Sequence, residues 1–157
     1  MKIRLFEHND RQDVINILSE HPLQFPDFVI ERYPPRWADF AKAPAGKSQY
    51  YVAYSDDDQI MGHAGYLYND EVGLYEIVGV VVKKDFQRAG VGKALLSIIC
   101  NKVNELKEKE IILYTLGHPG NEDTITFYQR IGFELSLYEK DYFSSGYDRV
   151  TFIKQLS

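Results

Sequence analysis

Apolar and alternating stretches of the chain, separated by polar turns, predict a series of β-strands. The turns Ser55-Asp56-Asp57-Asp58 and Asn69-Asp70-Glu71 separate three consecutive strands in the first half of the chain. An earlier strand precedes them, and two strands close the chain as a hairpin. The predicted strands span residues 2–6, 49–54, 60–68, 73–82, 110–116, 133–142 and 147–156.

Apolar residues at helical spacing predict helices between these strands. Asn9 or Asp10 caps a first helix, whose apolar stripe consists of Val14, Ile15 and Leu18. A region rich in proline and aromatic residues follows and predicts one or two irregular helices that end near Ala45-Gly46. The longest apolar stripe predicts a helix with Val91, Leu95, Ile98, Ile99, Val103 and Leu106 on one face.

Asn121 is expected to cap a short last helix that runs to Arg130 and is ended by Gly132. A strand, a long helix and a further strand in this order are typical of a crossover between two parallel strands. The order of all elements therefore implies an α/β (α+β) fold, in which a mixed sheet has helices on both faces.

Length and composition are those of an ordinary globular chain, with 157 residues and 45% hydrophobic residues. We expect a single domain over residues 1–157. The N-terminal residues do not resemble a signal peptide, no stretch has the length of a membrane span, and the one cysteine suits a reducing compartment. These features predict a cytoplasmic protein without a membrane partner. The histidines and the cysteine have no metal-ligand spacing, so we expect no metal.

The charge of the chain is unevenly distributed. The net charge is −5, but the segment from Lys83 to Lys93 carries +3 and the rest of the chain −8. This balance argues against nucleic acid as a partner. It favours an anionic ligand at the basic segment and a cationic second substrate elsewhere. A solvated loop with a chance cluster of lysines is the alternative.

Two glycines within this basic segment, Gly90 and Gly92, stand between an apolar strand and the start of the long helix. Such a turn directs several backbone N–H groups at one point, at the positive end of the helix dipole, and predicts a phosphate site. A nucleoside-triphosphate loop would need glycine at Gln87 and a hydroxyl at Ala94. A dinucleotide fingerprint would need a third glycine at Leu95.

The sequence Gln87-Arg88-Ala89-Gly90-Val91-Gly92 resembles the Gln/Arg-x-x-Gly-x-Gly/Ala signature of the GCN5-related N-acetyltransferases, the GNAT family. About thirty residues later, Asn121 and the segment 127–133, Phe-Tyr-Gln-Arg-Ile-Gly-Phe, resemble a second motif of that family. The resemblance implies a mixed, mostly antiparallel sheet of six to seven strands. A splayed parallel pair in this sheet would hold acyl-CoA.

The resemblance also assigns residues to acetyl-CoA. The pyrophosphate would be bound by Gln87, Arg88, Gly90, Val91, Gly92 and Lys93. The backbone of Val80 and Val82 would bind the pantetheine arm, and Asn121 would bond this arm in addition to its capping role. Gly79 is expected to mark a strand bulge or a close backbone approach, with a crowded packing site as the alternative.

Acetylation of an amine by a thioester needs a base for the amine and an acid for the departing thiolate. Tyr128 occupies the family's acid position, and a packing role in the core is the alternative. Glu76 is the candidate base, because apolar neighbours should raise its pKa; it could also point into solvent. His118 is a weaker alternative base. Cys100 is expected to be a packing residue rather than an acyl carrier.

The predicted function is transfer of an acetyl group from acetyl-CoA to a primary amine of a small molecule or peptide, in a ternary complex. Acceptor specificity is expected from the segments 25–40 and 142–148, where aromatic and acidic residues suit a cation or merely close the core. A non-catalytic acyl-CoA-binding or regulatory module is the alternative function. A homodimer through the last hairpin is possible.

Overall fold

The computed structural model describes residues 1–44 and 46–156. The strands are β1 (Lys2–Leu5), β2 (Ser48–Tyr54), β3 (Ile60–Asn69), β4 (Leu74–Val82), β5 (Glu110–Gly117), β6 (Glu134–Ser144) and β7 (Tyr147–Gln155). The helices are α1 (Arg11–Ser19), α2 (Asp27–Ile30), α3 (Tyr33–Lys42), α4 (Val91–Glu105) and α5 (Glu122–Arg130). Short 3₁₀ turns cover His8–Asp10, Lys84–Phe86 and Pro119–Asn121.

The seven strands form one sheet in the order β1-β2-β3-β4-β5-β7-β6. Neighbours run antiparallel in the pairs β1–β2, β2–β3, β5–β7 and β6–β7, whereas β4 and β5 run parallel. The parallel ladder joins Tyr75–Ile77 to Ile111–Leu113. The prediction of a mixed, mostly antiparallel sheet of six to seven strands with a parallel pair is therefore confirmed.

Internal contacts divide the chain into two compact units. The first consists of residues 1–68 and 78–99, and the second of residues 69–77 together with the chain from residue 100. No helix among the described residues is long and apolar enough to cross a membrane.

The first unit has a core of aliphatic and aromatic side chains between its strands and α1 to α3. Along α1 the buried stripe consists of Val14, Ile17 and Leu18, whereas Ile15 is only partly buried. The prediction that the Asp10 side chain caps α1 is wrong. Asp10 stands at the N-cap position of α1, but its carboxylate makes no cap bond there. It forms two hydrogen bonds with Arg4 instead, at 2.7 and 2.9 Å.

Helix α3 begins with prolines in its first turn, where the missing N–H groups cost nothing. Its buried stripe is aromatic and consists of Tyr33, Trp37 and Phe40, which are at most 5% exposed. The helix ends at Lys42. The sequence predicted an end near Ala45-Gly46, and Ala45 lies outside the described residues.

Within the apolar stripe predicted for α4, Val91, Leu95, Ile99 and Val103 are at most 1% exposed, whereas Ile98 is only half-buried. The last member of the stripe was wrong, because Leu106 is 49% exposed. The helix has ended at Glu105 by then. The next residue, Lys107, has a φ of 69° and turns the chain away from the helical path.

In the second unit the strand register assigns residues to the two faces of the sheet. Leu113 lies opposite Phe152, and Glu76 lies opposite Ile112, which lies opposite Ile153. We call the face with Leu113 and Phe152 the helix face, because α5 contacts Phe152 through Tyr128. The other face, with Glu76 and Ile112, is the Glu76 face.

Candidate active site

The glycine loop of the first unit has the backbone geometry of an anion site. After the 3₁₀ turn Lys84–Phe86, the φ angles of Arg88 and Gly90 are 65° and 79°, and α4 begins at Val91. Left-handed residues in a tight turn help to direct neighbouring N–H groups into a concavity that can hold an anion. The first N–H groups of α4 have no partner within the helix. The loop therefore presents a group of amide donors at the positive end of a helix.

Close packing fixes the position of this helix start. A side chain at Gly62 of β3 would meet the Val81 carbonyl at 2.9 Å and the Val91 side chain at 3.0 Å. Only glycine allows α4 to approach the strands so closely. The Lys83 N–H also donates to the Met61 carbonyl at 2.8 Å, which holds the loop at the strand end.

The side chains of the loop divide into two groups. Gln87, Arg88 and Lys93 are exposed, whereas Val91 and Gly92 are buried and can offer only backbone atoms to a ligand. Gly90 has open space around the position of a Cβ atom, so its φ angle alone demands glycine.

Gly79 breaks the regular geometry of β4 in the same unit. Its φ angle is 65°, and a Cβ atom there would lie 2.7 Å from Tyr33 and 2.9 Å from His63. Both readings of this glycine therefore apply, a left-handed break in the strand and a crowded packing site. Val80 and Val82 follow it and are half-buried.

Two side chains from the end of α1 contact the end of β4 and the start of the loop. His21 Nε2 lies 2.9 Å from the Val82 carbonyl oxygen, and the Lys84 N–H donates to Glu20 at 3.2 Å. The Val82 carbonyl therefore already has one side-chain partner at the end of β4. Sequence reasoning missed both side chains, since no local pattern relates them to residues sixty positions later.

Glu76 of the second unit is half-buried on β4. Its carboxylate accepts a hydrogen bond from Asn69 Nδ2 at 3.0 Å. The Asn69 amide is itself oriented, because its Oδ1 accepts the Glu71 N–H at 3.0 Å. The turn before β4 therefore holds the carboxylate in place, and sequence reasoning missed Asn69 in this role.

Charged groups surround Tyr114 on the Glu76 face. Burial and the negative charge of Glu76 raise the pKa of the Tyr114 phenol. The Arg149 guanidinium lies 4.6 Å from the Tyr114 ring centre and 3.8 Å from that of Tyr142. Its Nε donates a hydrogen bond of 2.8 Å to Glu139 Oε1, and its Nη2 lies 2.8 Å from the same oxygen as an ion pair. An internal cation thus lies against Tyr142, the first residue of the predicted acceptor segment 142–148.

Tyr128 lies on α5 and is 6% exposed. Its ring contacts Phe127, Phe133 and Phe152, with ring centres 5.3 to 5.8 Å apart. The ring is therefore a packed core element, as the alternative interpretation expected. This packing holds the phenol in one orientation, which a proton donor also requires.

The prediction that the Asn121 side chain caps α5 is wrong. It occupies the N-cap position of α5, but its side chain makes no cap bond to that helix. Instead Nδ2 donates to the Leu116 carbonyl and to Thr115 Oγ1, and the residue is 2% exposed. The amide therefore joins the start of α5 to the end of β5.

Two other candidates can be judged from their contacts. His118 Nδ1 accepts the Gly120 N–H at 3.1 Å, so this ring nitrogen is engaged within the turn before α5. Burial raises the pKa of the Cys100 thiol, which disfavours the thiolate that an acyl carrier needs. In the described part of the chain, no group of three or more His, Cys, Asp or Glu residues could hold a metal ion.

The candidate residues are distributed over the two units. Val80, Val82 and the loop from Gln87 to Lys93 belong to the first unit, and Glu76, Asn121 and Tyr128 to the second. The model of the acetyltransferase (GNAT) family matches residues 14–133. The chain belongs to the GNAT family. This match includes both groups of candidate residues.

Solved structures of low sequence identity share the GNAT fold. A protein from Desulfovibrio desulfuricans assigned to the GNAT family is 21% identical, with a TM-score of 0.87 and 99% of each chain covered. A ribosomal-protein-alanine N-acetyltransferase from Brucella melitensis is 19% identical, with a TM-score of 0.78 and 99% of each chain covered. An aminoglycoside 6'-N-acetyltransferase complexed with coenzyme A is 15% identical, with a TM-score of 0.76, and covers 100% of this chain and 98% of its own. The search of curated proteins found no match.

Proposed function

We propose that residues 1–157 act as one N-acetyltransferase domain that transfers an acetyl group from acetyl-CoA to a primary amine of a small molecule or peptide. The observation that carries this proposal is the loop before α4, where left-handed Arg88 and Gly90 direct amide groups at one point, within a chain that belongs to the GNAT family. The fold neighbour that binds coenzyme A supports the same ligand.

The loop fits the pyrophosphate of acetyl-CoA. The amides of Gly90 to Gly92 donate to the phosphate oxygens, and their direction follows from the backbone. Arg88 and Lys93 are exposed cations at the same loop and add attraction for the anion. Gln87 supplies a neutral donor. The pyrophosphate takes no part in the acetyl transfer itself. The loop therefore contributes to binding and orientation of acetyl-CoA rather than to the chemical step.

The pantetheine arm binds to backbone groups after Gly79, at Val80 and Val82. The Val82 carbonyl already accepts a hydrogen bond from His21 and keeps one further acceptor site. Asn121 stays a candidate for a contact to the arm, although its amide nitrogen already has two acceptors.

Glu76 acts as the base and Tyr128 as the acid. The amine loses a proton to the Glu76 carboxylate and its nitrogen bonds to the acetyl carbon, while the carbon–sulfur bond breaks and Tyr128 protonates the departing thiolate. Because these residues belong to opposite faces of the strands, the amine enters from the Glu76 face and the thiolate leaves on the helix face. No acyl-enzyme is formed, and the raised pKa of Cys100 agrees with direct transfer.

The acceptor is proposed to be cationic beyond its reacting amine. Glu71, Glu76 and Glu139 all contribute negative potential at Tyr114, against the single positive charge of Arg149. A carboxylate-bearing acceptor would meet net negative charge here, whereas a diamine or a basic peptide would be attracted.

The protein is also proposed to form a homodimer through the last hairpin. β6 is the outermost strand of the sheet, and it exposes Leu135, Leu137, Tyr138, Tyr142 and Phe143, each at least 42% accessible. Apolar side chains on an open strand edge favour pairing with a second copy. Light scattering of the wild type and of Leu137→Lys tests this; a monomeric wild type contradicts it.

The experiment that tests the function combines binding and turnover. Calorimetry with acetyl-CoA, ATP and NAD should show binding of acetyl-CoA alone. Thiol release from acetyl-CoA is then measured with polyamines, aminoglycosides, amino acids and short peptides. Turnover on a cationic class supports the proposal. Binding without turnover on any amine supports the alternative, a non-catalytic acyl-CoA-binding or regulatory module.

A further inference from the structure

A buried histidine contacts the break in β4 at the proposed pantetheine site. His63 lies on β3 and is 0% exposed. Trp37 Nε1 lies 3.1 Å from its Nε2, and its Nδ1 lies 2.8 Å from the Gly79 carbonyl oxygen. The indole N–H can only donate, so Nε2 is the acceptor and Nδ1 carries the proton. His63 is therefore one defined neutral tautomer that donates to Gly79.

The surroundings keep this imidazole neutral. The rings of Phe6, Tyr33, Trp37 and Tyr50 lie within 6.0 Å of it, centre to centre. Burial lowers the pKa of His63 to about 4, against the weaker opposing effects of the Gly79 hydrogen bond and the Asp10 charge. At neutral pH both ring nitrogens keep their roles.

The hydrogen bond to Gly79 has a consequence for the next residue. The Gly79 carbonyl and the Val80 N–H belong to one planar trans peptide unit, in which they point in opposite directions. When His63 holds the carbonyl on its side, the Val80 N–H must point to the other side. This N–H is one of the groups assigned above to the pantetheine arm.

Because residue 79 is a glycine, the peptide plane between residues 79 and 80 could rotate if His63 did not hold its carbonyl. A residue without a Cβ atom has wide backbone freedom, and Gly79 is held at a φ of 65° in the middle of a strand. The rings of Tyr33 and His63 lie close to Gly79 and restrict this freedom on the side where they pack. The hydrogen bond of 2.8 Å from His63 Nδ1 to the Gly79 carbonyl restrains the orientation of the peptide plane.

We propose that His63 is a positioning residue of the acyl-CoA site, which, oriented by Trp37, holds the Gly79 carbonyl and thereby aims the Val80 N–H at the pantetheine arm. The inference rests on the proposed function, because it presupposes that acetyl-CoA binds along β4. It assigns a role in ligand binding to a residue that would otherwise count only as a satisfied core histidine.

The test compares acetyl-CoA binding among matched variants. His63→Leu removes the donor, and we expect it to weaken acetyl-CoA binding about tenfold, the effect of one lost hydrogen bond. His63→Gln retains an amide donor and should recover most of the affinity. Trp37→Phe removes the bond that fixes the tautomer and should give an intermediate loss. Phe6→Leu disturbs the same ring cluster without touching the hydrogen bonds, and it should lower the melting temperature but leave the affinity unchanged.

Kinetics and NMR separate positioning from stability. The KM for acetyl-CoA should rise in His63→Leu, while the KM for the amine stays the same. The Val80 amide resonance should shift in His63→Leu and return towards the wild-type position in His63→Gln. If His63→Leu does not fold, Trp37→Phe and His63→Gln carry the same comparison.

The outcomes distinguish the two claims. A wild type that binds acetyl-CoA, with His63 and Trp37 variants that bind it equally well, overturns the positioning role and leaves the proposed function intact. A wild type that does not bind acetyl-CoA overturns both. Equal losses of affinity in Phe6→Leu and His63→Leu would also overturn the role, because they would trace the effect to core stability.

Discussion

Glu76 and Tyr128 belong to opposite faces of the sheet in the second unit. Glu76 shares its face with Ile112, whereas the Tyr128 ring contacts Phe152, which faces the other way. Glu76 is half-buried and accepts a hydrogen bond from Asn69, whereas Tyr128 is enclosed by aromatic rings. A base and an acid arranged in this way can act on two sides of one thioester, and their removal should have separable effects.

Glu76→Gln should lower kcat/KM for the amine by roughly 10²–10⁴-fold at neutral pH, which is the contribution of a general base. The amide keeps the size of the side chain, so acetyl-CoA affinity should be unchanged. Part of the rate should return at high pH, where the amine loses its proton without help. Glu134→Gln on the exposed strand β6 is the control; an equal rate in both variants would remove Glu76 from the mechanism.

Tyr128→Phe should lower kcat and leave the KM for acetyl-CoA nearly unchanged, because only the proton for the thiolate is lost. The packed ring remains, so the melting temperature should change little. Acyl donors with a more acidic thiol should lose less rate, since their thiolate needs no acid. Tyr54→Phe in the first unit serves as control. A wild-type kcat in Tyr128→Phe would leave the residue with a packing role alone.

Gly90→Ala and Gly146→Ala form a matched pair for the anion loop. Their φ angles are 79° and 80°, and neither has an atom within 4 Å of a new Cβ. Both substitutions should therefore cost about 1–2 kcal/mol of folding stability, the cost of a left-handed non-glycine residue. Only Gly90→Ala should also weaken acetyl-CoA binding. Equal affinities in calorimetry would show that the loop does not bind the pyrophosphate.

The buried His63 predicts a loss of stability in acid. Its pKa is about 4 in the folded protein and about 6.5 when unfolded, so the unfolded state binds a proton first as the pH falls. Stability is therefore full above pH 6.5 and decreases by about 3 kcal/mol between pH 6.5 and 4. Urea unfolding across this range measures the slope.

His63→Gln is the comparison for this slope, because its side chain does not titrate. The low pKa of Asp148, which accepts hydrogen bonds from the Asp141 N–H and Tyr138, affects stability only below the usual range of a carboxyl group. A wild type and a His63→Gln variant with the same pH dependence between 6.5 and 4 would contradict the buried neutral imidazole.

Glu139→Gln tests the charge of the acceptor surface. It removes one carboxylate near Tyr114 and the ion pair of Arg149 at 2.8 Å. The KM for a cationic acceptor should rise several-fold, and the effect should weaken with added salt. The KM for acetyl-CoA is the internal reference. A fall in the acceptor KM would indicate an anionic acceptor that Arg149 attracts.

Local patterns were enough to predict the glycine loop and α4. Gly90 and the stripe from Val91 to Val103 are features of neighbouring residues, so the sequence alone carries them. Leu106 was misplaced, since the end of α4 depends on the left-handed Lys107. The end of β6 was predicted two residues too early, at Tyr142 instead of Ser144, in a stretch where the pairing with β7 is irregular and periodicity gives no signal.

The residues that sequence reasoning missed act over long distances in the chain. His63 and Gly79 are sixteen residues apart, and His21 and Val82 are sixty-one apart. A single histidine within the apolar stretch of β3 was the available signal, since a buried polar group needs partners. Which partners it finds depends on how α3 and β4 pack, and that is visible only in the fold.

Thiol release from acetyl-CoA with a cationic amine, measured for the wild type, Glu76→Gln and Tyr128→Phe side by side, tests the central claim most directly. We expect turnover by the wild type, an acetylated amine in amounts equal to the thiol released, and a loss of turnover in both variants with acetyl-CoA binding retained. Turnover that is equal in all three proteins, or thiol release without an acetylated amine, would contradict it.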